Sequence, residues 1–519
     1  MDYRLTALAA VSLVAYGLVS AWPSRRRNPT SHPLPPGPKP LPIVGNVLGI
    51  NPSAPWVSYT NWGKTYGELV YSRLLNQEII VINSEEVAKE LLERRSNNYS
   101  DRPAIIRMTN DFFGWSFNSV MVPYSDRWRL HRRLFHQAFR PEAAFNYHPM
   151  QLRKARELLH NLVEAPVDYV AHLQTHSASI IMSVVYGYET APRDDPIIGV
   201  VDKAVNLAVA SIRPEVAAFL GFLPFLRHIP SWFPGASFKR TALLSQKYAD
   251  DMIEAPFQFV EKSIAAGTAV PSMVSDSLKR IAEYDGSDGY VQAIKESSVT
   301  AFAVILILAS QTASTLLIFV LAMVLNPEVQ ERAQAEIDSV IGTVRLPAFE
   351  DRPSLPYIEA VLRETLRWHP AVPLSIPHAT TSADVYEGYF IPQGAFLSDI
   401  MAFLAMTRNE VKYPSPEEFR PERFLDKDGQ INDDTVSFAF GAGRRICVGR
   451  HIADASVWSA IASILAIFRI TKCRDKQGNE IDVNPDWTAG VTSHPHHFPC
   501  KFTPRAPGGM TAEKLAQMF

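Results

Sequence analysis

The chain has 519 residues, of which 47% are hydrophobic and 20% are charged, and its formal net charge is −2. This balance is typical of a large globular protein with a deep core, and it argues against a nucleic-acid coat or an acidic tail. The sequence has only three cysteines, Cys447, Cys473 and Cys500. A disulfide framework is therefore excluded, and a cysteine that matters for function would act as a thiolate.

The N-terminal segment from Leu5 to Trp22 contains no charged residue. As a helix it would rise about 27 Å, which is just enough to cross the core of a bilayer. Arg25, Arg26 and Arg27 follow it, and positive charge on that side favours a cytosolic location for the rest of the chain. The alternative, a cleaved signal peptide, would carry its positive charge before the apolar run. We therefore predict a transmembrane anchor over residues 1–24.

A proline-rich linker is predicted over residues 25–47. The stretch from Pro33 to Pro42 is too rich in proline for a helix, and polyproline II is its natural conformation. We expect it to act as a stiff spacer between the membrane and the body. The rest of the chain has no convincing internal boundary, so residues 48–519 are treated as one large folded unit.

The body of the chain is predicted to be mainly helical, with minor β-sheets. Residues 69–82 predict two strands, and 84–95 predict a short helix with Ser84 as its N-cap. Most of 125–345 has helical spacing, and 385–405 again predicts strands. These elements together predict a mainly α protein of the α+β class.

The segment from Val299 to Leu325 contains no charged residue and is long enough for a second membrane span. Its middle nevertheless contains five polar side chains: Ser310, Gln311, Thr312, Ser314 and Thr315. Lys295 and Glu296 precede it directly. A long helix buried in a large folded body explains the same pattern, because the polar cluster then finds partners or lines a cavity. We therefore predict a buried helix.

The most informative stretch runs from Phe438 to Arg450, where three glycines surround Cys447. Glycines permit tight turns and let the backbone approach a flat, bulky group closely. A stretch with helical apolar spacing follows, so Cys447 would lie at a helix N-terminus, where free N–H groups and nearby arginines favour a thiolate. This pattern suits a single axial thiolate ligand to haem iron. The alternative is a buried structural cysteine beside a glycine turn.

The stretch resembles the haem-binding loop of the cytochrome P450 family, whose pattern is Phe-x-x-Gly-x-Arg-x-Cys-x-Gly. The matching residues are Phe440, Gly443, Arg445, Cys447 and Gly449. One departure is Val448, where the family often has proline, and we expect it to alter loop rigidity but not ligation. The resemblance implies a haem b cofactor held by Phe440, Gly441 and Cys447, with Cys447 as the axial ligand of the iron. It also implies the large helix-rich P450-like fold.

A second pattern matches a structural motif of the same family. Residues 357–369 predict a helix that must end before Pro370, and Glu364 and Arg367 share one of its faces. Taken alone, such a pair is a common surface feature. It resembles the family's Glu-x-x-Arg helix, and the resemblance implies that Arg423 completes a structural triad that locks the fold around the haem loop.

A third pattern concerns the haem propionates. Trp128 and Arg132 share a helix face at the i,i+4 spacing and resemble the family's Trp-x-x-x-Arg helix. An indole N–H and a guanidinium both suit a carboxylate. His378 falls where many relatives carry a propionate-binding Arg or His. The resemblance therefore implies that Trp128, Arg132, His378 and Arg445 hold the propionates.

The distal side of the site departs from the family. There, the long central helix usually carries Ala-Gly-x-Asp/Glu-Thr-Thr, and its acid and alcohol deliver protons. Without gaps, the acid becomes Ser310 and the key threonine becomes Gln311; a slip of one residue puts Gln311 and Thr312 in these places. Neither alignment supplies a carboxylate, and an amide does not titrate near neutrality. Gln311 and Thr312 are the candidate catalytic residues.

Three functions stay open at this point. The chain is either a monooxygenase, a haem-thiolate isomerase, dehydratase or cyclase that does not activate O2, or a haem-binding protein with little catalysis. The first is favoured because a thiolate ligand supplies the electronic push for O–O cleavage. Ile305, Leu308 and Ala309 make the distal segment apolar, which indicates a lipophilic substrate. The motifs look most like those of fungal secondary-metabolism members.

The resemblance also implies partners and a location. A basic cluster is predicted to form a positive face for an acidic electron donor: Arg127, Arg129, Arg132, Arg133, Arg444 and Arg450. The chain has no Rossmann or flavin-binding pattern. NADPH is therefore expected to supply electrons through a separate NADPH–cytochrome reductase, with cytochrome b5 as a second candidate donor. A single-pass protein of the endoplasmic reticulum membrane, with its catalytic domain in the cytosol, is expected.

Overall fold

The structure is a computed structural model. It describes residues 30–505, except 43, 76, 192–193, 213–215, 218–219, 222–223, 282–287, 343–344, 399–401 and 491. It does not describe the side chains of 224, 288, 303–310, 397–398 and 402. The predicted anchor over 1–24 and the first residues of the predicted linker lie outside the described residues.

Helices make up most of the described chain, which confirms the helix-rich class. The helices are α1 (Pro55–Tyr66), α2 (Glu85–Ala88), α3 (Ser96–Tyr99), α4 (Ala104–Phe113), α5 (Asp126–Phe139), α6 (Pro141–Ala144), α7 (His148–Glu164), α8 (Tyr169–Tyr186), α9 (Pro196–Ser211), α10 (Ser237–Ala265), α11 (Met273–Lys279), α12 (Asp288–Val299), α13 (Ile305–Leu325), α14 (Pro327–Val340), α15 (Pro356–Trp368), α16 (Ala402–Thr407) and α17 (Arg450–Ile467). The strands are β1 (Leu69–Leu74), β2 (Gln77–Ile82), β3 (His378–Ala379), β4 (Asp384–Tyr386), β5 (Tyr389–Ile391), β6 (Phe396–Ser398), β7 (Phe468–Lys472) and β8 (Cys500–Pro504).

The largest described sheet has the strand order β1-β2-β6-β3. β1 and β2 form the antiparallel pair that the sequence predicted, with Leu74 opposite Gln77. β6 joins β2 in parallel and β3 in antiparallel orientation, and in this register His378 lies opposite Leu397. The sheet therefore brings the segment that contains His378 next to strands from the beginning of the chain.

Part of the predicted linker lies on this sheet. The Tyr71 N–H donates to the Pro36 carbonyl at 2.9 Å, and the Phe390 N–H donates to the Pro33 carbonyl at 2.7 Å. Gly37 is pressed so closely against β1 that a Cβ there would lie 1.9 Å from the Tyr71 carbonyl oxygen. The described proline-rich residues therefore lie along the folded body.

The central apolar segment lies inside the body. Residues 313–324 of α13 are all buried, including Ser314 and Thr315. The helix packs against α8 and α17 in the largest apolar cluster of the described chain. The prediction of a buried helix is therefore confirmed. The segment begins differently from the expectation, because Thr300–Val304 form a π-helical turn before α13.

Within the described part of the chain, no single helix is long and apolar enough to cross a membrane. Gln311–Leu325 and Pro327–Val340 would be so only as a pair, and they bend by 105° at the break between them.

Two other local predictions need correction. The helix predicted over 84–95 begins at Ser84, whose Oγ accepts from the Val87 N–H, but it becomes π-helical over Lys89–Arg94. The strands predicted over 385–405 end before α16. Phe403 and Met406 lie three positions apart and are both buried in one apolar cluster, so this short run has the helical spacing that the sequence interpretation missed.

Candidate functional site

The cysteine loop connects two short 3₁₀ turns to the start of α17. The Cys447 N–H donates to the Phe440 carbonyl at 2.8 Å, which closes the loop on itself. Gly441 and Gly443 have φ values of 81° and 62°, in the left-handed region that favours glycine. A Cβ on Gly443 would lie 1.9 Å from the Leu92 carbonyl oxygen. The loop is therefore held against the π-helical segment Lys89–Arg94, and only glycine fits at position 443.

The electrostatic environment of Cys447 differs from the sequence-based expectation. Burial raises the pKa of the Cys447 thiol, and this effect outweighs the Gly449 N–H and the charges of Arg132 and Arg450, which lower it. The side chain keeps some accessible surface although protein surrounds it densely. The helix N-terminus and the arginines alone therefore do not produce a thiolate. A metal ion would have to displace the proton, as coordinating metals do with thiols.

Arg445 points away from the loop into a group of backbone carbonyls. Its Nε donates to the Ser100 carbonyl at 2.9 Å and its Nη2 to the Val122 carbonyl at 2.8 Å. Burial, followed by the nearby charge of Arg102, lowers the pKa of Arg445 to about 8. The guanidinium therefore lies where its positive charge is poorly compensated.

Arg102 is a site residue that the sequence analysis missed. It is buried, and it donates to the carbonyls of Val120, Ile376 and Pro377 at 2.7, 2.8 and 2.6 Å. Its charge lowers the pKa of Arg445 and of His378, so it belongs to the same cluster. No spacing in the sequence distinguishes it from the other basic residues, because its partners are distant backbone carbonyls.

Trp128 and Arg132 share one face of α5, as the spacing predicted. Arg132 Nη2 donates to the Ile446 carbonyl at 2.6 Å, directly before Cys447. Burial lowers the pKa of Arg132 to about 10. Trp128 is buried, and the guanidinium of Arg445 lies over its ring. The helix therefore contacts the cysteine loop at two points.

His378 lies on β3 beside the arginines. Its Nδ1 must donate to the Tyr99 carbonyl oxygen, 2.7 Å away, because a carbonyl only accepts. Burial, followed by the charges of Arg102 and Arg445, lowers the pKa of His378 well below its usual value. The imidazole is therefore neutral in these surroundings, and a carboxylate beside it would favour its protonation.

These residues fit a haem. The structure brings together the Cys447 thiol and three guanidinium groups, those of Arg102, Arg132 and Arg445, and burial lowers the pKa values of Arg132 and Arg445. Carboxylates are the groups that offset such charges best. This set of groups matches a haem b, because the thiol can bind the iron and the guanidinium groups can bind the two propionates.

Glu364, Arg367 and Arg423 are also brought together. Arg367 binds Glu364 through two bonds of 2.6 and 2.8 Å, and both side chains are fully buried. Arg423 Nε lies 3.2 Å from the same carboxylate. Arg367 further donates to the carbonyls of Thr407 and Pro416 at 3.0 and 2.9 Å. The triad therefore ties α15 to the chain that leads toward the cysteine loop.

The distal candidates are described only in part. Gln311 and Thr312 lie in α13 and are half-buried. The side chains of Ser310, Ile305, Leu308 and Ala309, on which the distal expectations also depend, lie outside the described residues. The structure places the backbone of this segment in one continuous helix from Ile305.

Three members of the predicted basic cluster are engaged within the protein. Arg127 pairs with Glu296 at 2.8 Å, and Arg129 pairs with Asp126. Arg132 points inward to the cysteine loop. The pair of Arg127 and Glu296 leaves no pattern in the sequence because its members lie far apart along the chain, whereas Asp126 and Arg129 have the i,i+3 spacing of one helix face.

Comparison with known proteins gives concordant matches. The sequence matches the family described as Cytochrome P450 over residues 35–502. It is 38% identical to Cytochrome P450 monooxygenase ple1 of Rhodocybe pseudopiperita, over 91% of this chain and 90% of that protein. It is 35% identical to Cytochrome P450 monooxygenase COX1 of Coprinopsis cinerea, over 97% of each chain. It is 38% identical to Cytochrome P450 monooxygenase 208 of Postia placenta, over 96% and 95% of the two chains.

Proposed function

The chain belongs to the cytochrome P450 family, and from that premise we propose that it is a membrane-anchored haem-thiolate monooxygenase that oxidises a lipophilic small molecule. The observation that carries the proposal is the cysteine loop, in which Cys447 lies beside a group of partly buried cations. A structural cysteine would not need such neighbours. A thiolate ligand of haem iron would have such cations near it, because they would offset the charges of the two haem propionates.

In this proposal Cys447 would bind the haem iron through its thiolate, and Phe440 and Gly441 of the same loop would help to hold the cofactor. When bound, the haem supplies the chemistry that activates O2 and transfers an oxygen atom to the substrate. Trp128, Arg132, His378 and Arg445 bind the propionates, and we add Arg102 to this group on its position. The residues proposed to hold the cofactor thus come from α5, β3, the cysteine loop and the connection between α3 and α4.

Protons for the reaction are proposed to pass through Gln311 and Thr312. The Thr312 hydroxyl can both donate and accept, whereas the Gln311 amide can hold a water but does not titrate. The isomerase, dehydratase or cyclase alternative is not favoured, because the three relatives are all named monooxygenases. The haem-binding protein with little catalysis is disfavoured for the same reason.

Glu364, Arg367 and Arg423 are proposed to act in the fold and not in the reaction. The two arginines donate to the Glu364 carboxylate, and Arg367 also donates to a backbone carbonyl oxygen. A buried pair of this kind stabilises one arrangement of its neighbours, since a broken pair leaves an uncompensated charge.

Electrons are proposed to come from NADPH through a separate NADPH–cytochrome reductase, with cytochrome b5 as a further donor. We also propose a role in fungal secondary metabolism.

The proposed location is the endoplasmic reticulum membrane, as a single-pass protein with residues 48–519 in the cytosol. Exposed large apolar side chains support contact with lipid: Phe225, Trp232 and Phe233 are 48%, 78% and 47% exposed. The rings of Trp232 and Phe233 lie 6.2 Å apart, and adjacent exposed apolar side chains are a feature of interaction surfaces.

The ligand assignment is tested by replacing Cys447 with alanine. The purified variant should lose the Soret band and the thiolate-type spectrum of the reduced, CO-bound protein. Cys473→Ala is a matched control, because Cys473 is also free and partly exposed but follows β7, away from the loop. An unaltered spectrum in Cys447→Ala would contradict the assignment.

The reaction type is tested with the full chain and a reductase. Candidate lipophilic substrates are supplied with NADPH and air, with NADPH under anaerobic conditions, and without NADPH. A product heavier by one oxygen atom, formed only with NADPH and O2, supports the monooxygenase. An isomeric product of unchanged mass, formed without O2, would contradict it.

A further inference from the structure

A chain of four buried polar side chains lies behind the site. Ser119 precedes α5, His131 lies on α5, Glu296 lies on α12, and Thr300 begins the π-helical turn. Their exposed fractions are 5%, 0%, 6% and 3%. Ser119 Oγ lies 2.7 Å from His131 Nδ1 and 3.3 Å from Thr300 Oγ1. His131 Nε2 lies 3.0 Å from Glu296 Oε2, although its N–H does not point straight at that oxygen.

Ser119 is held from two sides. Thr300 Oγ1 donates its proton to the Glu296 carbonyl at 2.6 Å, and it accepts from the Ser119 N–H at 3.1 Å. Ser119 Oγ also lies 3.3 Å from Thr300 Oγ1. On its other side Ser119 Oγ lies 2.7 Å from His131 Nδ1, and either atom can donate in this bond, according to the tautomer of the ring.

The other ring nitrogen faces a carboxylate. Burial raises the pKa of Glu296, but bonds from His131 and Gln292 and the charge of Arg127 bring it below its usual value. Glu296 Oε2 lies 3.0 Å from His131 Nε2, so the carboxylate holds the ring on the side away from Ser119.

The loop that His131 holds is the one that binds the site arginines. The Val122 carbonyl accepts from Arg445 Nη2 at 2.8 Å, and the Val120 carbonyl accepts from Arg102 Nε at 2.7 Å. The carbonyl of Ser119 itself lies 3.4 Å from Arg445 Nη1. The side chain of Ser119 therefore anchors the same short segment whose backbone carbonyls hold two guanidinium groups.

We propose that His131 is a positioning residue of the haem site: it clamps Ser119 and, through residues 119–122, orients Arg445 and Arg102 toward the propionates. This inference rests on the proposed function. His131 acts at a distance from the cofactor, through the loop. Glu296 holds the imidazole ring in place, and Thr300 ties the same serine to the start of the long central helix.

The test measures haem release from the full-length holoenzyme to an excess of a haem-scavenging apoprotein. His131→Phe removes both ring nitrogens and should speed release about tenfold or more, since the buried Ser119 hydroxyl loses its 2.7 Å partner and buried polar groups are costly to leave unpaired. Ser119→Ala, a milder change, should give a smaller increase. His176→Phe is the matched control: His176 is also buried and bonds a carbonyl, that of Lys154 at 3.1 Å, but it lies on α8.

A double variant separates positioning from a general structural role. If His131 acts through the arginine, then His131→Phe should change the release rate less than about twofold when Arg445 is already alanine. Hydrogen exchange of the amides of residues 119–122 should rise in His131→Phe and not in His176→Phe. Multiplicative effects in the double variant, or a native release rate in His131→Phe, would overturn the positioning role. A native protein without a thiolate-type haem spectrum would instead overturn the proposed function.

Discussion

The guanidinium carbon of Arg445 lies 4.6 Å from the centroid of the Trp128 ring. This contact joins the cysteine loop to α5, two elements that lie far apart in the sequence. A cation over an indole face is attracted by the ring quadrupole, and the attraction grows when water is excluded. The contact therefore offsets part of the cost of enclosing Arg445, whose planar group is at the same time fixed by the Ser100 and Val122 carbonyls.

Arg445→Lys should weaken haem binding despite the conserved charge. A lysine ammonium cannot reproduce the planar fork that bonds two carbonyls and stacks on Trp128. We expect a loss of about 1.5–3 kcal/mol, seen as about tenfold or greater acceleration of haem release. Arg129→Lys is the control, because Arg129 is exposed and paired with Asp126. Native retention of haem in Arg445→Lys would contradict the proposed role.

Gly443→Ala should prevent the cysteine loop from closing. The new Cβ would lie 1.9 Å from the Leu92 carbonyl oxygen, and φ at this position is 62°. The left-handed conformation alone costs an alanine about 1–2 kcal/mol, and the clash with backbone adds to it. We expect low haem content by absorption and a lower unfolding temperature.

Gly449→Ala is the matched comparison for that variant. Gly449 has a φ of −86°, and no atom lies within 4 Å of an added Cβ. We expect a change within about 0.5 kcal/mol, as for other substitutions that meet no neighbour. Similar losses of haem in both variants would show that the contact with Leu92 does not decide the requirement for glycine.

Glu364→Gln should destabilise the folded body strongly. The substitution leaves Arg367 fully buried without its carboxylate partner, and breaking such a pair costs about 3–5 kcal/mol. Denaturant unfolding followed by circular dichroism measures this loss. Glu331→Gln breaks an exposed pair with Arg469 and should cost less than about 1 kcal/mol. Equal costs for the two variants would contradict the structural role of the triad.

Thr312→Ala should lower the yield of oxygenated product for each NADPH consumed. If Thr312 relays protons, loss of the hydroxyl should reduce this ratio by roughly tenfold or more, since proton-transfer groups contribute about 10²–10⁴-fold. Thr312→Ser keeps the hydroxyl and should retain most of the coupling. NADPH oxidation and product formation are measured in parallel in both variants. Full coupling in Thr312→Ala would exclude the hydroxyl as the relay.

Acid should destabilise the protein partly through His176. Burial lowers the pKa of His176 from the ordinary value of 6.5 to about 4. Between these values the unfolded chain binds a proton that the folded chain does not. The contribution of His176 to the free energy of unfolding is therefore fully present above pH 6.5. It falls as the pH drops toward 4, at about 1.4 kcal/mol per pH unit.

His176→Gln should reduce that slope while leaving the pH dependence above 7 unchanged. Some acid sensitivity should persist, because burial also lowers the pKa of His369 and of His378. The free energy of unfolding, measured at several pH values between 4 and 8, checks the prediction. Identical slopes in the variant and the native protein would contradict the burial effect at His176.

Local spacing was sufficient to predict several features of the protein. The i,i+3 separation of Glu364 and Arg367 and the i,i+4 separation of Trp128 and Arg132 place each pair on one helix face, wherever the helix lies. The glycines around Cys447 predicted a tight loop before a helix, and α17 follows it. These predictions succeeded because turns, caps and helix faces depend on neighbours within about one turn.

Other features were decided only by the tertiary structure. Arg102 bonds carbonyls more than 270 positions away, and Ser119 meets Thr300 across 181 positions, so neither contact leaves a periodic pattern in the sequence. The helix N-terminus predicted a stabilised thiolate at Cys447, whereas burial dominates its pKa in the folded chain. Desolvation depends on how all the surrounding elements pack together, and sequence spacing therefore predicted the loop but not the charge balance around its cysteine.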